Sequence, residues 1–292
     1  MNAVAERVGQ LRARLEAAPC LRPSLEVDAL FTELVRLCCT TPPRLAEAAM
    51  VCLADHAQPL RRLCAAGERE LETHWSQRIA AAADPRVVLA EFPYLQNYRD
   101  LVRMEVAAVA AMGVPVPSRV AVLGSGPLPL TGLILAHDYG AKVRHVDRDA
   151  ECLALGDAVT SALGLSAEVT SVRADLESPA CGATLASAGI GDCDVIILAA
   201  MVGEDATAKR AISRRLAGLA GRDTVILARS AVRLRSLLYP QVRAEDLVDM
   251  RVELEIHPGN DVVNSILAAR PAGSSVVSAS QIRYLQLLAV GA

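Results

Sequence analysis

The stretch Leu123–Leu130, LGSGPLPL, joins a short apolar run (Arg119–Leu123) to a helical one. Gly124 and Gly126 would let the backbone turn tightly and approach a ligand, with Ser125 between them. Asp147 ends the next strand-like run, 23 residues beyond Gly124. At that place a carboxylate can accept hydrogen bonds from both ribose hydroxyls of a nucleotide. Asp175 ends the third such run, where methyltransferase-type folds present an acid to the adenine amino group. Either acid could instead be a simple strand-end or helix cap. A pyrophosphate wants free N–H groups at the helix start, and Pro127 and Pro129 remove two of them. The loop therefore favours an adenosyl ligand without phosphates, S-adenosylmethionine (SAM), over a dinucleotide or ATP. Proline in a first helical turn costs little, because those N–H groups lack helix partners anyway.

These residues need a scaffold with parallel strands. After Pro117 the pattern supplies one: strands at RVAVLGS, KVRHVD, AEVTSVRAD, DVIILAA and TVILARS alternate with helical stretches. Such alternation implies right-handed crossovers and a doubly wound sheet. RVELEIHP and NSILAAR, separated by GNDVV, add a candidate antiparallel pair. Before Gly113, apolar residues recur at helical spacing in AERVGQLRARLEA, DALFTELVRLCC, the Ala/Leu-rich run 42–83 and QNYRDLVRMEVAAVAAMG. The expectation is a helical region, 1–115, followed by a Rossmann-like α/β domain, 116–292.

Composition narrows the class. Hydrophobic residues make up 52 % but aromatics only 3 %, so Ala, Leu and Val must build the core. A net charge of -3 and the lack of a basic run speak against nucleic acid. No apolar run is long enough to span a bilayer, and the N-terminus has no signal-peptide core. A cytoplasmic protein is expected. The eight cysteines form no CxxC pair, so neither a metal site nor a disulfide framework is expected.

LGSGPLPL, DVIILAAMVGEDATAK, ARSAVRLRSLLYP, HPGNDVVNSILAAR and EFPYLQNYRDLVRMEVAAV together resemble the nicotianamine synthase family. The matches run in order over roughly residues 67–270. The resemblance implies a SAM-dependent aminocarboxypropyl transferase. An amine would attack the γ-methylene of the methionine moiety and methylthioadenosine would leave, for the biosynthesis of a metallophore. The chemistry then requires a base for the amine, an electron-rich neighbour for the sulfonium and cationic or N–H partners for carboxylates.

The candidates for these roles lie partly before the α/β domain. GERELETHW and EFPYLQNY resemble the family's two motifs there. Glu68 and Glu72 are four apart, on one helical face, where like charges are unfavourable unless a cation is near. Glu72 is the expected base with Tyr98 as its partner; Glu68, Tyr94 and Glu105 are further candidates. Phe92, Tyr94 and Tyr98 fall within seven residues, a pocket wall or simply local packing. Arg229 ends a strand and could bind a substrate carboxylate. His257 ends another, and it, Asp261 or Asn264 could have a direct role, although HPGND could be only a turn. Ala199 ends the fourth strand, where a small side chain leaves room for SAM. Val232, where plant members carry His, and Val172-Arg173, where they have HT, depart from the family pattern and leave the number of units added open. So are the readings of a single-transfer opine-metallophore synthase, an ordinary SAM methyltransferase and a non-catalytic binding protein. A homodimer is compatible with the sequence, which does not give the oligomeric state.

Overall fold

The structure is a computed structural model and describes residues 2–114, 116–203 and 205–273. Pro115 and residues 274–292, the end of the expected second domain, lie outside the described residues. Strands β1 (Arg119–Leu123), β2 (Lys142–Asp147), β3 (Val169–Arg173), β4 (Val195–Leu198), β5 (Val225–Ser230), β6 (Met250–Ile256) and β7 (Ser265–Pro271) form one sheet in the order β3-β2-β1-β4-β5-β7-β6. The first five are parallel, and β7 runs antiparallel to both β5 and β6. The expected antiparallel pair is therefore present, with the later strand on the inside. β4 and β5 are buried throughout, as their near-continuous apolar runs require of strands covered on both faces.

Helices α1 (Ala3–Ala17), α2 (Leu25–Thr40), α3 (Pro43–Cys52), α4 (Ala57–Ala80), α5 (Pro85–Ala90) and α6 (Leu95–Ala111) precede the sheet. The run 42–83 does not form one helix. Pro59, in the first turn of α4, cannot donate a backbone hydrogen bond and would clash with a carbonyl of a preceding turn, so a short 3-10 turn at Ala54–His56 intervenes. α5 was not expected; Asp84 caps its N-terminus and Pro85 occupies its first position, a helix-start signal. α7 (Leu130–Tyr139) follows β1, α8 (Ala150–Ala162) follows β2, and α9 (Cys181–Ser187) and α10 (Ala206–Leu219) complete the cover.

Two core clusters cross residue 115. Trp75, Ile79, Phe92 and Val102 pack with Val122, Leu130 and Leu227 on one face of the sheet. α1–α3 pack on Leu234, Leu237 and Leu238 in the turn after β5. A third cluster, with Leu185, Ile212 and Leu216, covers the opposite face. The first two hold α2 and α4 over the carboxyl ends of β1, β2, β4 and β5, the edge where open α/β sheets bind ligands.

Among the described residues, no helix is long and apolar enough to cross a membrane. No group of three or more His, Cys, Asp or Glu there could hold a metal ion.

Candidate active site

α4 buries Glu72, Trp75, Ser76 and Ile79 on one face. The 3,1,3 spacing points polar and aromatic side chains at the loop after β1. Ser76 Oγ donates to the Pro127 carbonyl at 2.7 Å. The Leu128 N–H donates to Glu72, and the Gly126 N–H to Asp147 Oδ2 at 3.0 Å. Pro129 packs near Gly156 of α8, where an added Cβ would meet its ring at 3.2 Å. Gly126 has φ +68°, and a Cβ there would come within 2.9 Å of Glu72 Oε2. Glycine thus permits both the left-handed backbone and the close approach of the acid. The prolines fix the loop, and its N–H groups at Gly126 and Leu128 already have partners.

Between α2, α4 and the sheet edge lies a cavity of about 910 Å³, within the size range of small-molecule sites. Six of the chain's eight aromatic residues line it: Phe31, Trp75, Phe92, Tyr94, Tyr98 and Tyr239. Phe92 stacks edge-on with Trp75 at 5.6 Å and with Tyr94 at 6.0 Å, and meets Tyr98 at 6.4 Å. The sequence cluster is thus one continuous wall.

Glu68, Glu72, Tyr94, Tyr98, Gly124, Ser125, Gly126, Asp147, Asp175, Ala199 and Arg229 all line this cavity. Tyr98 donates its hydroxyl to Glu72 Oε1 at 2.9 Å. Burial pushes the Glu72 carboxyl well above its usual pKa and the nearby Glu68 charge adds to the rise; the Tyr98 and Leu128 hydrogen bonds offset part of it. Burial also raises Glu68, against a hydrogen bond from Tyr239 and the charge of Arg229. Tyr98 is driven well above 10 by burial and by both carboxylates, so it remains a neutral donor. Ser125 Oγ is buried without a partner. Asp147 also accepts from the Asp149 N–H at 3.0 Å, and Asp175 from the Glu177 N–H at 3.0 Å.

Two candidates lie away from the cavity lining. Glu105 sits behind Arg229, accepting from Arg229 Nε at 2.8 Å, and Thr131 Oγ1 lies 2.6 Å from Arg229 Nη2. Glu105 is 1 % exposed and holds the arginine from below. His257 is exposed, with Nδ1 2.9 Å from Ser265 Oγ. From the same stretch, Asp261 and Asn264 do line the cavity.

Three contributors escaped sequence reasoning. Tyr239 donates to Glu68 Oε1 at 2.7 Å, across 171 residues of chain. It stands in RSLLYP, just past the ligand edge of β5, and that position was a usable signal. Ser76 anchors the proline loop. Lys209, buried on α10, donates to the Ala200 carbonyl at 3.3 Å and to that of Val202, holding the loop after β4. Burial lowers its pKa to about 8.

The family model described as nicotianamine synthase protein matches residues 1–276. Nicotianamine synthase 1 of Oryza sativa subsp. indica is 36 % identical over 287 residues, covering 93 % of this chain and 82 % of that protein. Nicotianamine synthase of Solanum lycopersicum is 32 % identical over 274 residues, covering 92 % and 84 %. Among solved structures, a glutamate-to-glutamine variant of MtNAS in complex with S-adenosylmethionine superposes with a TM-score of 0.77 at 21 % identity, covering 93 % of this chain and 99 % of that one. MtNAS in complex with MTA and tNA gives 0.77 at 22 %, covering 91 % and 97 %. At that identity the structures speak for the fold; the family rests on the sequence matches over nearly the whole chain. The chain belongs to the nicotianamine synthase family.

Proposed function

We propose that this protein transfers the 3-amino-3-carboxypropyl group of SAM onto an amine, releasing methylthioadenosine, in the synthesis of nicotianamine. The observation that carries the reading is Glu72: a buried carboxylate bonded to a phenol and an amide, with no cation paired to it among the described residues, facing an aromatic-walled cavity. Such a group binds an ammonium or sulfonium and takes a proton well.

Each lining residue suits a part of the substrates. Asp147 uses two of its roughly four lone-pair sites on backbone N–H groups, which leaves capacity for ribose hydroxyls. Asp175 faces the adenine amino group, and the Gly124-Ser125-Gly126 turn and Ala199 leave room for the adenosyl moiety. The rings of Tyr94 and Tyr98 face the sulfonium. Arg229 has five donors, of which Glu105 and Thr131 engage two groups, so the rest can meet an α-carboxylate. The acceptor amine gives its proton to Glu72 and attacks the γ-carbon. The C–S bonding pair leaves with sulfur as neutral methylthioadenosine. In this reading residues 1–115 supply Glu68, Glu72 and most of the aromatic wall, and residues 116–292 the adenosyl site and Tyr239. MtNAS has been crystallised with SAM and with MTA and tNA, ligands of the kind assigned here.

Incubation with SAM alone tests this. Methylthioadenosine together with a product of three condensed aminocarboxypropyl units, closed into an azetidine ring, is expected. S-adenosylhomocysteine as the by-product would overturn the reaction class. Methylthioadenosine formed only on adding another amino acid would overturn the iterative assignment.

A further inference from the structure

The cavity holds two glutamate–tyrosine pairs, and one base accounts for only one of them. Glu72 takes the Tyr98 hydroxyl at 2.9 Å and Glu68 takes the Tyr239 hydroxyl at 2.7 Å. All four side chains line the same space. The two acids sit one turn apart on α4, where residues i and i+4 have Cβ atoms about 5–6 Å apart. The arginine whose charge bears on Glu68, Arg229, already holds Glu105 at 2.8 Å. Among the described residues, then, neither carboxylate has an ion-pair partner of its own, an arrangement that is unfavourable while the cavity is empty and favourable when two positive groups enter.

The reaction supplies two such groups at a matching distance. Each transferred unit brings its own α-ammonium, three carbons from the nitrogen that has just reacted. With bonds near 1.5 Å, the two nitrogens lie about 5 Å apart when extended. We propose that Glu68 with Tyr239 is a second ammonium site, which holds the nitrogen not reacting at Glu72 and retains the growing chain between transfers. Glu72–Tyr98 receives the proton of the attacking amine, and Glu68–Tyr239 keeps the neighbouring nitrogen charged and bound. This rests on the aminocarboxypropyl-transfer reading.

The test is product partitioning in the full-length protein supplied with SAM. Glu68→Gln keeps an acceptor for the Tyr239 hydroxyl but removes the charge. Whatever its total rate, it is expected to release incomplete one- and two-unit intermediates, raising the ratio of methylthioadenosine to finished product about tenfold. Tyr239→Phe is expected to move the ratio in the same direction by less. A uniformly slower Glu68→Gln enzyme with the wild-type ratio overturns the proposal. Wild-type protein that forms no methylthioadenosine overturns the reading beneath it instead. A second measurement needs no variant: inhibition of the wild-type enzyme by linear diamines of two to five carbons. The three-carbon 1,3-diaminopropane is expected to bind about tenfold tighter than its neighbours in the series; no dependence on spacing sinks the two-site geometry.

Discussion

Glu105 and Glu72 are both buried acids, 1 % and 8 % exposed, but their surroundings differ. Glu105 meets a guanidinium at 2.8 Å and lies outside the cavity. Glu72 meets a phenol, an amide and another acid. Burying a charge is costly unless it is paired. The fold satisfies that rule at Glu105, where the acid positions a side chain, and violates it at Glu72, where the acid faces the substrate space. In the proposed mechanism, unpaired burial thus separates the carboxylate that does chemistry from the structural one. Lys209 carries the same contrast with the opposite sign: a buried cation held by two carbonyls.

The comparison can be broken most directly at Glu72. Glu72→Gln should lower turnover by about 10²–10⁴-fold, the usual contribution of a general base, as followed by methylthioadenosine release; turnover within tenfold of wild type would remove Glu72 from its role. Next in size, Glu105→Leu should cost about 3–5 kcal/mol of stability by leaving Arg229 buried and unpaired, read by urea denaturation. Adding Arg229→Met to Glu105→Leu should recover most of that stability, while turnover is lost with the arginine. Gly126→Ala places a Cβ against Glu72 Oε2 in a left-handed backbone, which costs about 1–2 kcal/mol, and should reduce turnover about tenfold.

The smallest effect concerns pH. Because the folded pKa of Glu72 is raised above its ordinary 4.5, its proton-linked stabilisation is complete below about 4.5. It is lost as pH rises through the higher folded value. Glu72→Gln should therefore raise the melting temperature of the substrate-free protein by a few degrees at pH 8, with the gain shrinking towards pH 4.5. A variant less stable than wild type at pH 8 would mean that Glu72 is paired after all.

Much of the fold was legible because local rules agreed with tertiary needs. Apolar runs became the buried strands, and the Gly124–Gly126 turn stands at the ligand edge. The clustering of Phe92, Tyr94 and Tyr98 in an aromatic-poor chain marked a real wall. What stayed hidden depends on long-range placement. Tyr239 reaches Glu68 across 171 residues, and Arg229 reaches Glu105 across 124; no periodicity encodes such partners. Of the three candidates in HPGNDVVN, Asp261 and Asn264 line the cavity, while His257 lies outside it beside Ser265. The break before α4 was readable from Pro59, as was α5 from Asp84 and Pro85.

The tie between α4 and the proline loop has a mechanical consequence. Ser76 on Pro127, Leu128 on Glu72 and Arg69 on Asp149 join the helix that carries the acids to the loops that flank the proposed adenosyl site. Acid and loop then move as one body. The entropy of aligning them is lost once, when the chain folds, and an enzyme that repeats its reaction on one growing product does not lose it again at each transfer.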